Sequence, residues 1–272
     1  MNTQSNGYTV VFSTIMVVVV AAALTLISLG LKDRQQVNID NEKRQNILKS
    51  AGIAIEGKVS EENAQKYGFI LEKGSVEDTY NKYVNEDDCF IVDTLGNVVE
   101  GKAFEVNTKK DKNKLPVFVV NKNGEKLYVV PLTGNGLWGA IWGYASLKSD
   151  FNTINGVVFD HASETPGLGA EMTQLYFCEQ FEGRQMYEGN DFLGIMNVYK
   201  GNPKNPNDDQ DKLHGIDAIS GSTLTTKGVQ DMVNKSLKAY GAYKNSVQTS
   251  AQPVVGEVSD DAQQTTLTNV NE

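Results

Sequence analysis

The sequence predicts an α+β protein: a single N-terminal transmembrane helix followed by one α+β domain. Three observations carry that reading. Tyr8 to Leu31, YTVVFSTIMVVVVAAALTLISLGL, is apolar and free of charge. Short apolar runs between Phe90 and Phe159 alternate with turn residues, as strands do. Thr226–Tyr240 puts Val229, Met232, Val233 and Leu237 on one side at helical spacing.

Residues 1–7 form a short polar segment, and residues 8–31 the transmembrane helix. About 24 residues at about 1.5 Å rise cross a hydrocarbon core of roughly 30 Å. A cleaved signal peptide wants a basic leader, a shorter apolar stretch and a small-x-small exit. Here MNTQSNG has no basic residue, and the exit is Leu-Gly-Leu-Lys. A retained anchor is the expectation. Residues 32–88 read as a helical membrane-proximal region. Asp33–Ser50 leaves the membrane as a helix with Val37, Ile47 and Leu48, and Glu61–Asn85 is a second stretch interrupted around Gly68 and Gly74.

Residues 89–241 read as the folded domain. Phe90–Thr94 and Val98–Glu100 form one hairpin; Val117–Val120 and Leu127–Pro131 form another, with Asn123-Gly124 as its turn signal. Ala140–Leu147 and Ile154–Phe159 are further strands. Lys200–Lys212, KGNPKNPNDDQDK, is a loop by composition. Residues 242–272 are Ser/Thr/Gln/Asp-rich and read as a disordered tail.

Composition narrows the function. The net charge of -9 argues against a nucleic-acid partner, which needs a basic face. Two Cys and two His, Cys89, Cys178, His161 and His214, are too few and too scattered to build a zinc or iron–sulfur site. One Cys89–Cys178 bridge stays open, although buried structural thiols fit the absence of C-x-x-C better.

Three segments bear on chemistry. Gly134-Asn-Gly136-Leu-Trp-Gly139 matches G-x-G-x-x-G, with Asp160 about 20 residues on. A dinucleotide site needs the last glycine to open a helix, whereas Gly139 opens the strand-like AIWGYASL. It reads as a glycine-rich strand connection with Trp138 and Trp142 nearby. His161-Ala-Ser-Glu164-Thr-Pro-Gly167-Leu-Gly169-Ala-Glu171 joins polar groups to a permissive backbone. It reads as a demanding loop or a ligand site, with no serine-hydrolase constellation and no more than a Glu164/Glu171 pair to suggest a glycosidase. Asp217-Ala-Ile-Ser220-Gly221-Ser222-Thr223-Leu-Thr225-Thr226 runs into the C-terminal helix, with Thr225 and Thr226 as capping or first-turn residues. Helix capping and an anion site at the helix N-terminus both explain its hydroxyls.

Asp217-x-x-Ser220-Gly221-Ser222-Thr223 resembles the D-x-x-[ST]-G-[AS]-T signature of proteins that carry FMN esterified through its phosphate to the last threonine. HASETPGLGAEM resembles the second hallmark of that FMN-binding domain family. The single N-terminal span and Arg44–Gly52, RQNILKSAG, look like the C subunit of the Na⁺-translocating NADH:quinone reductase. The resemblance runs from Tyr8 to about Tyr240, and Ser222 stands where alanine is commoner.

The resemblance implies an FMN-binding α+β domain with FMN as cofactor, covalently held on Thr223. It implies that Gly221 admits the close backbone approach, and that Asp217, Ser220 and Ser222 belong to the sequence read by an FMN transferase drawing on FAD. Glu164, Thr165, Leu168 and Gly169 would line the isoalloxazine and ribityl chain, with Trp138 an apolar neighbour. No side chain is expected to be catalytic and no metal is expected. The family implies an electron-relaying subunit, inactive alone, partnered by the other subunits of the Na⁺-exporting complex. The G subunit of the Rnf ferredoxin:NAD⁺ oxidoreductase and a tethered binding protein without redox role are the alternatives.

Topology sets two expectations against each other. Lys32, Arg34, Lys43 and Arg44 follow the span and nothing basic precedes it, which by the positive-inside rule leaves the domain in the cytoplasm. The resemblance implies a single-pass protein of the bacterial inner membrane with its flavin domain on the periplasmic side, and that expectation is preferred.

Overall fold

A computed structural model describes residues 6–108, 110–195, 197–199 and 214–251. Helix α1, Asn6–Ser50, is one unbroken rod, about 68 Å long at the usual rise. The apolar span and the Asp33–Ser50 helix are therefore a single element. Lys32 to Gln36 are all helix-tolerant and leave no Gly–Pro punctuation at which to stop. The rod's apolar part is exposed along its whole length and long enough to cross a membrane. Its far end folds into the domain, where Ile47, Leu48 and Ser50 are buried. Gly52, at φ 77°, ends it and donates its N–H to the Lys49 carbonyl at 3.0 Å.

The region 32–88 is more than helical. Strand β1, Ile53–Ile55, pairs in parallel with β2, Ile70–Glu72. Between and after them lie two short helices, α2, Glu61–Lys66, and α3, Val76–Tyr83. Ser60 and Ser75 cap them, accepting from the Asn63 and Asp78 N–H groups at 3.2 and 3.1 Å. The breaks fall where expected, at Gly68 and Gly74, both at positive φ. Neither strand is legible in the sequence, because IAI and ILE are too short to show a period.

The centre is an antiparallel six-stranded sheet made of β3, Phe90–Val92; β4, Val98–Val99; β5, Leu115–Lys122; β6, Glu125–Asn135; β7, Ala140–Leu147; and β8, Ile154–His161. Their spatial order is β4-β3-β5-β6-β7-β8. Asn123 and Gly124 join β5 to β6 with φ of 53° and 86°, the signs a tight primed hairpin turn requires. Successive residues serve opposite faces. Val117, Val130 and Leu132 face one core, while Phe118, Val120, Leu127 and Val129 face the other. The second core is completed by Ile47, Leu48, Ile53 and Tyr80, so residues 47–84 form part of the domain and cover one face of its sheet. With both faces covered, the strands read as continuous apolar runs.

The other face carries α5, Thr223–Ala239, through Val229, Met232, Val233 and Leu237, together with Phe177 of the short α4, Leu175–Cys178, and Phe181. Two small sheets flank it: β9, Tyr187–Glu188, with β10, Asp191–Phe192, and β11, Asn197–Tyr199, with β12, Gly215–Asp217. The Lys200–Lys212 loop lies outside the described residues.

The tail expected from residue 242 is helical as far as Ala251, in α6, Gly241–Ala251. Tyr243 packs on Phe90 and Phe151 with ring centroids 5.3 and 5.2 Å apart. Lys244 is buried and donates to the Gly189 carbonyl. One helical turn of anchoring residues is too little to register as periodicity; residues 252–272 lie outside the described residues. Both cysteines are free. Burial pushes the Cys178 thiol up to about 12 and that of Cys89 up to about 11.

Candidate flavin site

Three segments meet at one end of the sheet. The first is the β6–β7 turn, Gly136 to Gly139, closed by a Gly136 N–H to Gly139 carbonyl bond of 2.8 Å. G-x-G-x-x-G here is a hairpin connection, as its sequence context indicates. The second is the loop after β8, held against the turn because β8 pairs with β7 up to Ile141 opposite His161. The third is the first turn of α5, which lies hard against β6. A Cβ on Gly134 would stand 2.6 Å from Met232 Cβ, and one on Gly228 would stand 2.5 Å from the Asn135 carbonyl oxygen. Glycine at both positions lets the helix N-terminus reach the turn.

Helix α5 starts at Thr223, three residues ahead of the expected Thr226. The N–H groups of Thr223, Leu224 and Thr225 have no acceptor within the helix. Ser222, in the N-cap position, does not cap them with its side chain. Its Oγ donates instead to Thr225 Oγ1 at 2.9 Å, and Thr225 Oγ1 donates to Glu164 Oε2 at 2.8 Å. Thr226 Oγ1 accepts from the Ile219 N–H at 2.9 Å and donates to the Ser222 carbonyl at 3.1 Å. Ser222, Thr225 and Thr226 are thus buried and spent inward. Thr223 is half-buried at the first helical position, and its Oγ1 has no hydrogen bond among the described residues. Gly221, just ahead at φ 72°, makes the turn into the helix.

The residues expected to line the flavin divide into two groups. Thr165 and Leu168 are exposed, and the Thr165 carbonyl accepts from the Leu168 and Ala170 N–H groups. Glu164 and Gly169 are buried beneath them. Glu164 Oε1 accepts the Trp138 N–H at 2.9 Å, while Ser163 Oγ donates to the Trp138 carbonyl at 2.9 Å. A Cβ on Gly169 would collide with Glu164 Oε2 and stand 2.8 Å from Thr225 Oγ1. Trp138 is 67% exposed, and Leu137, Leu168 and Leu224 are also open to solvent. Four large exposed apolar side chains therefore lie on the three segments that meet at an uncapped helix N-terminus. That is the donor set and shape a phosphate with an attached planar ring calls for. Leu137 and Leu224 carry no signal of their own in the sequence, whereas Thr225 and Thr226 read there as capping or first-turn residues. For Leu137, the adjoining Trp138 on a glycine-rich turn was the available signal.

Asp217 and Ser220 sit in the turn before α5. Asp217 ends β12, and its backbone is fixed by Gln180, whose Oε1 accepts the Asp217 N–H at 2.7 Å. Ser220 is exposed. Glu171 is engaged by the Tyr176 hydroxyl at 3.0 Å, whereas Glu164 is bonded to Trp138 and Thr225.

The site lies at the end of the domain that faces the apolar part of α1. Gly156, near the start of β8, abuts the Ser50 carbonyl, whereas Asp160, near its end, shares a cavity of about 490 Å³ with Asn38, Asn41 and Glu42. β8 thus runs back down α1, and the loop that follows it points toward the span. A second cavity, of about 320 Å³ and lined by Lys49, Lys122 and Cys178, sits at the other end of β8 and includes no residue of the three segments that meet at the site.

A family model of the FMN-binding domain matches residues 136–238, from the β6–β7 turn to the end of α5. Curated proteins named as the C subunit of the Na(+)-translocating NADH-quinone reductase are similar along most of the chain. That of Haemophilus ducreyi is 30% identical over 230 residues, covering 82% of this chain and 84% of its own. That of Vibrio campbellii is 29% identical over 245 residues, covering 82% and 86%. Among solved structures, the same C subunit from Parabacteroides distasonis has 36% identity and a TM-score of 0.63, covering 79% of this chain and 96% of that one. Shewanella oneidensis NqrC has 27% identity and a TM-score of 0.60, covering 77% and 98%.

Proposed function

Because the chain belongs to the family of Na(+)-translocating NADH-quinone reductase C subunits, we propose that it relays electrons through an FMN carried covalently on Thr223. The assembled complex would meanwhile oxidise NADH, reduce quinone and export Na⁺. The chain is an FMN-binding subunit of an oxidoreductase complex and works with that complex's other subunits. An FMN transferase would join the phosphate to Thr223 Oγ1 during maturation.

The observation that carries this reading is the uncapped first turn of α5 at Thr223, whose half-buried hydroxyl makes no hydrogen bond among the described residues while Ser222, Thr225 and Thr226 are spent inward. The free N–H groups of that turn favour the phosphate charge by roughly 0.3–1 kcal/mol, and by more where it is partly buried. Gly221 permits the close approach of the backbone. Trp138, Leu137, Leu168 and Leu224 cover apolar ring surface and keep water from it. Bound FMN supplies the electron uptake and release, so no side chain need act as acid or base.

Purified alone after co-expression with the transferase, the full chain in detergent should show a flavin that dithionite reduces, but no NADH:quinone turnover. Substantial turnover with NADH would sink the subunit reading. Absence of flavin absorbance would leave a tethered binding protein.

The flavin domain belongs on the periplasmic side. Two of the four basic residues that favour the cytoplasm also make contacts within the fold. Lys43 Nζ donates to the Phe104 carbonyl at 2.6 Å and sits over the Phe104 ring, and burial pulls its pKa down to about 8. Arg44 pairs with Glu77 at 3.6 Å. The bias of these four residues is read from one span, and partner helices in a complex can override it. Cysteine placed at the exposed Ser246 should react with a membrane-impermeant maleimide in intact cells, above the background of the parent chain. Protection of that site until lysis would reverse the orientation.

A further inference from the structure

Glu164 is the most interior charged group of the site. It is 4% exposed and forms no ion pair among the described residues. Each of its oxygens has one donor: the Trp138 N–H on the β6–β7 turn and the Thr225 hydroxyl on α5. Its own N–H donates to His161 Nδ1 at 3.2 Å, at the end of β8. Through Thr225 it also reaches Ser222 Oγ, immediately before Thr223. The surroundings are cut to fit it, since a Cβ on Gly136 or on Gly169 would collide with one or the other carboxylate oxygen. A side chain so enclosed, with a protein donor on each oxygen, is turned to the protein interior.

We propose that Glu164 is a positioning residue: it ties the β6–β7 turn and the 164–169 loop to the first turn of α5, and so builds the flavin cradle before any flavin arrives. The inference rests on the flavin-binding reading above and changes the role that the family resemblance implies for this residue. By turning the Ser222 and Thr225 hydroxyls inward, it also keeps them from capping α5, which leaves the helix N–H groups for the phosphate. A hydrogen bond to a carboxylate holds a local opening back by roughly tenfold or more.

The test is amide hydrogen exchange on the full chain in detergent, made without the transferase and therefore without flavin. Glu164→Ala should raise exchange at the Trp138 amide by about tenfold or more, leaving the β5–β6 amides unchanged. Glu164→Gln, which keeps an acceptor for Trp138, should restore most of that protection. Thr225→Val, which removes one donor and leaves the carboxylate in place, should loosen the first turn of α5; this arm stands if the alanine variant fails to fold. On co-expression with the transferase, flavin loading should fall at least severalfold in Glu164→Ala and recover in Glu164→Gln. Unchanged Trp138 exchange in Glu164→Ala, or a glutamine variant no better than alanine, overturns the proposal. Because the exchange arm needs no flavin, failure of the flavin-binding reading would show separately, as a parent chain that the transferase cannot load.

Discussion

Replacing Thr223 with alanine should abolish the flavin fluorescence that survives denaturing electrophoresis, while the domain stays folded. The side chain is half-buried at the first helical position and makes no hydrogen bond among the described residues, so its removal should cost the fold no more than about 0.5 kcal/mol. The neighbouring hydroxyls should behave in the opposite way. Thr226→Ala leaves the buried Ile219 N–H without its acceptor, a loss of about 1–3 kcal/mol. Thr225→Ala removes the link between Ser222 and Glu164. Both variants should be less stable yet retain a covalent flavin on whatever protein folds. Peptide mass mapping reads the site directly. FMN found on Thr225 or Thr226 would overturn the assignment to Thr223.

Gly228→Ala should destabilise the domain and impair flavin loading, against the usual direction for such a change. An alanine within a helix ordinarily gains close to 1 kcal/mol over glycine. Here the added methyl would stand 2.5 Å from the Asn135 carbonyl oxygen and 3.2 Å from Gly136 Cα, both of them backbone. Neither can rotate away, so α5 must lift from β6 at the end that holds Thr223. Overpacking of this kind costs about 1–3 kcal/mol, enough to reverse the propensity gain. Urea unfolding monitored by circular dichroism gives the sign. A stabilised Gly228→Ala protein with normal flavin content would show that the helix does not need this close approach.

The parts of the fold that sequence made legible are those with a local cause. Asn123-Gly124 marked its hairpin because few other pairs accept two successive positive φ values. The α5 stripe from Val229 to Leu237 was visible because one face is buried and the other wet. What stayed hidden depends on contacts distant in sequence. Residues 47–84 carry no sign that they cover a sheet formed by residues 118–129. α6 is held in place by the Phe90 and Phe151 rings and by the Gly189 carbonyl, none of them near it in the chain. At the site, the two motifs lie on segments that the fold brings together, but they could not separate Thr165 and Leu168 on the surface from Glu164 and Gly169 beneath. That division comes from the sheet, which brings the Trp138 amide and Thr225 to the same carboxylate from opposite sides.

The unbroken course of α1 gives the anchor a bearing as well as a length. A flexible linker would let the domain turn freely above the membrane, but a helix that enters the core at Ile47 and Leu48 transmits its rotation to everything packed on it. Each residue between Leu31 and Asn38 therefore sets about 1.5 Å of height and about 100° of azimuth for the flavin end of the domain. Adding one residue there would swing that end through more than a quarter of a circle, away from whichever neighbour it faces. Adding seven would bring it back to within about 20° of its original heading, at a level about 10 Å higher. The stem behaves as a graduated axle, and its residue count selects the neighbouring protein toward which the cofactor is aimed.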